Sequence, residues 1–247
     1  MTKVDEIVGF LKQNIKEPPK RILDVACGSG ELVSALSSTY TDSEVFGLDI
    51  DRKALAIGIA EGRFKKAVPV HGNAYNLDKE DPNFTSVRFF PNPKNYIREQ
   101  GYLDLKEIGH RKFEEELKDF DLVIAINPAD YFSGRTVHLL RSGKKLDNGV
   151  HLDDISRPAK KGGYVFLVTQ IAYINADMYE GIRPNQVTKE HVETELRKMR
   201  KDGDNAGLNY VSHTLIAEPI PKDSCFLNSF SPNEIYSKDL AVLFNKN

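Results

Sequence analysis

The 247-residue sequence predicts an α/β fold in which an open, mostly parallel sheet of seven strands carries helices on both faces. Three observations predict it. Short apolar segments alternate with segments of helical periodicity, as they do where helices join parallel strands. Residues 121–126 are apolar almost throughout, which is typical of a strand covered on both faces. A glycine-rich turn at 26–30 connects the first strand to a helix. We expect a single domain, 1–247.

An N-terminal helix is predicted within residues 1–19, because apolar residues recur there every three or four positions. Pro18 and Pro19 then end the helix. The apolar positions are Val4, Ile7, Val8, Leu11 and Ile15.

The other elements follow from the same two periodicities. Strands alternate with helices up to the fifth strand, and two strands close the chain. The predicted strands are residues 21–25, 45–49, 68–71, 121–126, 163–169, 210–217 and 240–244. The predicted helices after the first are residues 31–38, 52–63 and 189–201.

Two long segments, 78–118 and 133–161, interrupt this alternation. Each exceeds the usual length of a connection between elements, and the first contains a predicted helix at 105–117. Their proline, glycine and charged residues suit loops. We therefore expect two insertions that cover the carboxyl ends of the strands as a lid.

Charge and composition exclude several classes of protein. With 34 Lys and Arg against 36 Asp and Glu, the net charge of −2 excludes a strongly basic nucleic-acid coat protein. The longest apolar stretches are too short for a membrane-spanning helix, and the first residues lack the pattern of a secretory signal. A cytoplasmic location is expected. Cys27 and Cys225 have no spaced partner, so we expect reduced thiols and no metal site.

The glycine-rich turn is a candidate cofactor site, since glycines let a ligand approach the backbone where a strand meets a helix. The dinucleotide pattern G-x-G-x-x-G fails, because Val33 or Glu31 stands where its third glycine belongs. The segment Asp24-Val25-Ala26-Cys27-Gly28-Ser29-Gly30 instead resembles motif I of the class I S-adenosylmethionine-dependent methyltransferases.

This resemblance implies a Rossmann-like fold, methyltransferase activity and S-adenosyl-L-methionine as the cofactor. It implies that the cofactor is bound by Asp24, Ala26, Gly28 and Gly30. In this family an antiparallel strand is added near the chain's end, and residues 240–244 are the candidate.

The resemblance continues after the turn. Asp49 ends the second strand, where the family has an acidic residue for the two ribose hydroxyls of the cofactor, and Ile50 follows it. A carboxylate suits that role because it only accepts hydrogen bonds. Asn73 and Ala74 resemble a G-D-A element that meets the adenine amino group. Asp51 is expected to cap the next helix.

The segment after the fourth strand, Asn127-Pro128-Ala129-Asp130-Tyr131-Phe132, resembles the N-P-P-Y motif of methyltransferases that act on planar amino nitrogens. The resemblance implies that Asn127 and Pro128 accept the amino hydrogens and that Tyr131 stacks on the target. We expect Asn127 to position the substrate or the methyl donor, and we count it among the candidate cofactor-binding residues. Asp130 stands where the aromatic residue belongs, and its alternative role is that of a general base.

A local excess of four positive charges follows this motif. We expect it to lie beside the active site, where it attracts an anionic substrate or nucleic acid, although a solvated charged face is the more ordinary interpretation. The basic residues are Arg135, Arg141, Lys144, Lys145, Arg157, Lys160 and Lys161.

Four functions remain open from the sequence. The first is methylation of an amino or amide nitrogen on a nucleobase, a nucleotide-containing substrate or a protein. The second is a small-molecule O- or N-methyltransferase with Asp130 or a histidine as its base. A cofactor-binding protein without catalysis and an NAD-linked oxidoreductase are the others. The methyl acceptor and the oligomeric state are not specified by the sequence.

Overall fold

The structure is a computed structural model that describes residues 2–49, 51–71, 88–89, 117–126, 152–173, 184–219 and 235–247. The described helices are α1 (Lys3–Asn14), α2 (Glu31–Thr39), α3 (Arg52–Ala60), α4 (Leu152–Ser156) and α5 (Lys189–Asn205). The described strands are β1 (Arg21–Val25), β2 (Glu44–Asp49), β3 (Ala67–His71), β4 (Arg88–Phe89), β5 (Phe120–Ile126), β6 (Ala159–Tyr173), β7 (Leu208–Pro219) and β8 (Ile235–Lys246).

The described strands form one sheet in the order β4-β3-β2-β1-β5-β6-β8-β7. Strands β3, β2, β1, β5 and β6 are parallel, and β8 is antiparallel to both of its neighbours. The predicted mostly parallel sheet of seven strands is confirmed, with the two-residue β4 added at one edge. The strand predicted at 240–244 is β8, which is antiparallel as predicted, and the short β4 is antiparallel to β3 as well. Because β1 separates β2 from β5, the strand order reverses at β1, where α/β folds bind ligands.

Helices cover both faces of the sheet, as predicted. Helices α1, α2 and α3 pack on one face, where the ring of Phe10 lies 5.6 Å from that of Phe166. Helices α4 and α5 pack on the other face. Residues 122–125 of β5 are fully buried between the two layers. This explains why that strand is apolar at successive positions rather than at alternate ones.

Helix α1 begins where local chemistry dictates. The hydroxyl of Thr2 accepts a hydrogen bond from the Asp5 N–H at 3.2 Å, and the Asp5 carboxylate accepts one from the Thr2 N–H at 2.8 Å. This reciprocal pair satisfies two N–H groups at the helix start. The helix ends at Asn14, before the two prolines.

Several element boundaries differ from the sequence prediction. Strand β6 begins at Ala159, so residues 159–161 of the predicted second insertion belong to the sheet, and α4 lies within the same segment. Helix α3 ends at Ala60 instead of residue 63, and a turn follows it. Most of the segments 78–118 and 133–161, with the predicted helix at 105–117, lies outside the described residues.

The amino ends of the parallel strands are joined by one carboxylate. Asp121 accepts hydrogen bonds from the N–H groups of Lys20 and Arg21, each at 2.8 Å, and pairs with the ammonium of Lys160. Burial opposes ionisation of Asp121, but the bonds from Lys160, Arg21 and Lys20 outweigh it and lower its pKa. Asp121 thereby connects strands β1, β5 and β6 at the amino ends of the parallel strands, which we call the amino edge of the sheet; their carboxyl ends form the carboxyl edge.

A second polar contact closes the same edge. The ammonium of Lys246, near the end of β8, donates to the carbonyl oxygens of Ser156, Arg157 and Ala159 at 3.0, 3.0 and 2.7 Å. A lysine has three N–H donors, so all of them are used on the end of α4 and the start of β6.

Among the described residues, no helix combines the length and the apolar character that crossing a membrane requires.

Candidate functional site

The turn between β1 and α2 adopts a backbone that needs left-handed residues. Gly28 and Gly30 have φ of 56° and 78°, and Ala26 has φ of 61°. Glycine adopts this region without a steric cost, whereas an L-residue with a Cβ atom is strained there by about 1 kcal/mol. The motif position that is glycine in the resembled family is therefore a strained alanine in this chain.

Hydrogen bonds place Asp49, the carboxylate predicted to bind the ribose, against the glycine turn. The N–H of Gly28 donates to Oδ2 of Asp49 at 2.7 Å, and the N–H of Asp51 donates to Oδ1 at 2.7 Å. The N–H of Cys27 also donates to the Leu48 carbonyl at 3.0 Å. Each carboxylate oxygen has two lone pairs, so Asp49 keeps acceptor capacity for further donors.

Asp51 has the capping role predicted for it. Its Oδ1 accepts a hydrogen bond from the Ala54 N–H at 3.3 Å, at the first turn of α3. The end of β2 therefore supplies one carboxylate to the glycine turn and a second one to the helix that follows.

A third carboxylate, Asp24, lies at the carboxyl end of β1 and is only 2% exposed. Burial raises its pKa well above the usual value, and the negative charge of Asp49 raises it further. The same burial, with Asp24 and Asp49 nearby, raises the pKa of the Cys27 thiol. A thiol kept protonated is a poor nucleophile, which agrees with the interpretation of Cys27 as a small residue in a bend.

The end of α3 and the turn after it press on the glycine turn. A Cβ atom on Gly58 would lie 2.0 Å from the Ser29 carbonyl oxygen, and one on Gly30 would lie 2.5 Å from the ring of Phe64. A Cβ on Gly47 would be 2.8 Å from Val33. The close packing leaves space only for glycine at these positions. By contrast, in the part of the chain that the structure describes, a Cβ on Gly28 would meet nothing within 4 Å.

Arg63 adds polar contacts to this packing. Its guanidinium donates to the Ser29 hydroxyl at 2.5 Å and lies 3.2 Å from Oε1 of Glu31 and 2.5 Å from Oε2 of Glu61. Gly58, Arg63 and Phe64 were not predicted as site residues. A glycine inside an otherwise helical pattern is the signal that points to a close backbone approach there.

The structure brings together five of the predicted site residues: Asp24, Ala26, Gly28, Gly30 and Asp49. The others lie outside the described residues. They are Ile50, Asn73, Ala74, Asn127, Pro128, Asp130 and Tyr131. Strand β3 ends at His71, opposite Asp49, and β5 ends at Ile126, so the chain leaves both strands at the edge that carries the glycine turn.

One prediction about charge is wrong for three of its residues. Arg157, Lys160 and Lys161 lie at the amino end of β6, at the opposite edge of the sheet from the glycine turn. Lys160 pairs there with Asp121. These residues were expected beside the active site because residues 133–161 were predicted to form one insertion. Arg135, Arg141, Lys144 and Lys145 lie outside the described residues.

A family model described as a methyltransferase domain matches residues 22–108. A demethylmenaquinone methyltransferase from Thermotoga maritima is 32% identical over 87 residues, which are 33% of this chain and 37% of the relative. The chain thus matches little more than a third of the length of this curated relative.

Solved methyltransferases share the fold. Magnesium protoporphyrin IX methyltransferase from Synechocystis, solved with bound S-adenosylhomocysteine, has a TM-score of 0.51 at 12% identity and covers 99% of this chain and 82% of its own. The N-methyltransferase NodS from Bradyrhizobium japonicum, in complex with S-adenosyl-L-homocysteine, has a TM-score of 0.51 at 9% identity, covering 98% and 86%. The predicted resemblance to class I methyltransferases is confirmed.

Proposed function

We propose that this chain is an S-adenosylmethionine-dependent methyltransferase that binds its cofactor across the turn between β1 and α2. One observation carries the proposal: the Gly28 N–H and the Asp49 carboxylate meet at 2.7 Å where the strand order reverses. The methyltransferase-domain match over residues 22–108, which includes this turn, supports it.

The residues present fit such a cofactor. Asp49 only accepts hydrogen bonds, so it can take both hydroxyl hydrogens of a ribose while it is held by two N–H groups. Among the described residues none occupies the space over Gly28, which leaves its backbone accessible to a ligand from that side. Asp24 is a buried carboxylate beside a second negative charge, so a bound cationic group would stabilise its ionised form.

The cofactor supplies an activated methyl group on a sulfonium, and the chain's task is to orient the acceptor. For the acceptor we propose an amino or amide nitrogen. The support is the sequence Asn127-Pro128, which follows directly after Ile126 at the end of β5. The amide oxygen of Asn127 and the Pro128 carbonyl accept the amino hydrogens, and Tyr131 stacks on the target plane.

The basic residues of the segment after β5 extend this proposal. These residues are Arg135, Arg141, Lys144 and Lys145. No acidic residue lies between Arg135 and Lys145, so the segment suits an anionic acceptor such as a nucleic acid. If they bind the acceptor through its phosphates, its KM rises with salt concentration. Transfer to a neutral small molecule would instead be insensitive to salt.

The acceptor is tested by transfer of a labelled methyl group from S-adenosylmethionine to separate pools of nucleic acid, protein and small molecules, followed by mass spectrometry. Asn127→Ala is expected to lower kcat while cofactor affinity stays nearly unchanged, because positioning of the acceptor is lost.

A different outcome distinguishes the alternative. If Asp130→Asn abolishes transfer and removes its pH dependence while Asn127→Ala is nearly silent, Asp130 is a general base and the enzyme is a small-molecule O- or N-methyltransferase. Full activity in both variants contradicts both assignments.

A further inference from the structure

In the proposed function the cofactor binds at the Gly28–Gly30 turn, and the two glycines make this turn flexible unless other contacts hold it. Ser29 lies between Gly28 and Gly30, and both glycines adopt left-handed backbone. Glycines lose more conformational freedom on ordering than other residues. A turn of this kind loses affinity for its ligand unless another part of the chain holds it in the binding conformation.

The end of α3 and the turn after it contact the Gly28–Gly30 turn in three chemically different ways. The backbone of Gly58 lies against the Ser29 carbonyl, and the ring of Phe64 lies against Gly30. The third contact is the hydrogen bond from the Arg63 guanidinium to the Ser29 hydroxyl at 2.5 Å. Two of the three contacts act on Ser29, one through its backbone and one through its side chain.

Arg63 also connects the turn to the helix that follows it. Glu31 is the first residue of α2, and its Oε1 lies 3.2 Å from the guanidinium. Glu61 pairs with the other terminal nitrogen, Nη2, at 2.5 Å. A guanidinium presents several N–H donors in one rigid plane, so a single side chain fixes Ser29 relative to the start of α2.

We propose that Arg63 is a positioning residue for the cofactor, which holds the Gly28–Gly30 turn in its binding conformation through the Ser29 hydroxyl and Glu31. This inference rests on the proposed function. The two ion pairs of Arg63 contribute little to global stability, because the side chains of Glu31 and Glu61 are 66% and 48% exposed. Cofactor affinity therefore depends on Arg63 more than folding does.

The test is calorimetric titration of S-adenosylhomocysteine into the full chain and its variants, with thermal melting of each variant alongside. Arg63→Ala is expected to weaken binding about tenfold, the effect of losing a charged hydrogen bond, with little change in Tm. Arg63→Lys restores part of the affinity, because one ammonium cannot reach all three partners. Lys66→Ala removes an exposed cation nearby and serves as the matched control.

A double-mutant cycle identifies the route. If Arg63 acts through the Ser29 hydroxyl, Arg63→Ala weakens binding much less in a Ser29→Ala background than in the wild type. Additive effects overturn the inference, and so does an Arg63→Ala variant that binds as the wild type does. Ser29→Ala keeps all ion pairs of Arg63, so it tests the contact even if Arg63→Ala does not fold. Failure of the wild type to bind contradicts the proposed function instead.

Discussion

Two carboxylates on neighbouring strands, Asp24 on β1 and Asp121 on β5, have opposite electrostatic environments. Asp24 lies at the carboxyl edge of the sheet, where burial and the charge of Asp49 raise its pKa. Asp121 lies at the amino edge, where Lys160 and two backbone N–H groups lower its pKa despite burial. At the amino edge the charge of Asp121 is compensated, which stabilises the fold. At the carboxyl edge the two carboxylates Asp24 and Asp49 lie near each other, and their repulsion costs stability. This pair of negative charges suits a cationic ligand.

The backbone also differs between the two edges: it is strained at the carboxyl edge and has its carbonyl groups hydrogen-bonded at the amino edge. At the carboxyl edge Ala26, Gly28 and Gly30 are all left-handed within one turn. At the amino edge, the ammonium of Lys246 caps the carbonyls that end α4. Strain and like charges collect at sites of function, because the rest of the fold supplies the stability that maintains them.

The largest expected effect comes from the packing against the glycine turn. Gly58→Ala places a Cβ atom 2.0 Å from the Ser29 carbonyl oxygen, so we expect a loss of about 3 kcal/mol in the free energy of unfolding. Gly9→Ala is the matched control, since Gly9 also lies in a helix and a Cβ there would meet no described residue within 4 Å. That control should gain about 0.5–1 kcal/mol. Equal results from urea unfolding of the two variants would refute the close approach.

Next in size is the loss of the amino-edge carboxylate. Asp121→Ala removes the carboxylate that accepts from two N–H groups at the start of β1, and it should lower the free energy of unfolding by about 2 kcal/mol at neutral pH. Since the pKa of Asp121 is lowered by folding, its contribution is present above the ordinary value of 3.8 and is lost as pH falls below it. The difference between variant and wild type should therefore shrink in acid, as measured by unfolding across pH. A difference that grows in acid would contradict this account.

Asp24 should behave in the opposite way. Because folding raises its pKa, ionisation costs stability in a window that begins at the ordinary value of 3.8 and extends upward. Without cofactor, Asp24→Asn is expected to be more stable than the wild type at neutral pH, and the gain should disappear in acid. Thermal melting across pH measures it. A variant that is less stable at neutral pH would show that the Asp24 charge is compensated in the free protein.

The smallest expected effect concerns Ala26. Ala26→Gly relieves a Cβ atom from left-handed backbone, so the free energy of unfolding should rise by about 1 kcal/mol. Denaturant unfolding with an unchanged m-value would establish the gain. Destabilisation by the glycine would mean that residue 26 is not left-handed in solution.

Most of the architecture is predictable from the sequence because its signals are local. Alternating apolar strands and helical periodicity indicate a parallel sheet, and the buried residues 122–125 identify its centre. The glycine turn and Asp49 are predictable because glycines follow the first strand and an acidic residue ends the second. The methyltransferase resemblance draws on these two elements, which the structure places 2.7 Å apart, and on the segments at 73–74 and 127–132.

Contacts between distant segments are what the sequence could not predict. Arg63 and Phe64 were placed at or beyond the end of a helix, and nothing local shows that they return to Ser29 and Gly30. The basic residues of 157–161 were assigned to the wrong edge, because the start of β6 is polar and carries two glycines. The roles of Asn73, Asn127 and Asp130, the lid and the cytoplasmic location stay predictions.

Calorimetric titration of S-adenosylhomocysteine into the wild type and Asp49→Ala tests the central claim most directly. The account predicts saturable binding in the micromolar range by the wild type. Asp49→Ala should weaken it by about 1.5–3 kcal/mol, the effect of losing a charged hydrogen-bond partner. Glu44→Ala, at the exposed start of the same strand, should bind as the wild type does. Saturable binding of NAD, with no response to S-adenosylmethionine or its demethylated product, would contradict the claim.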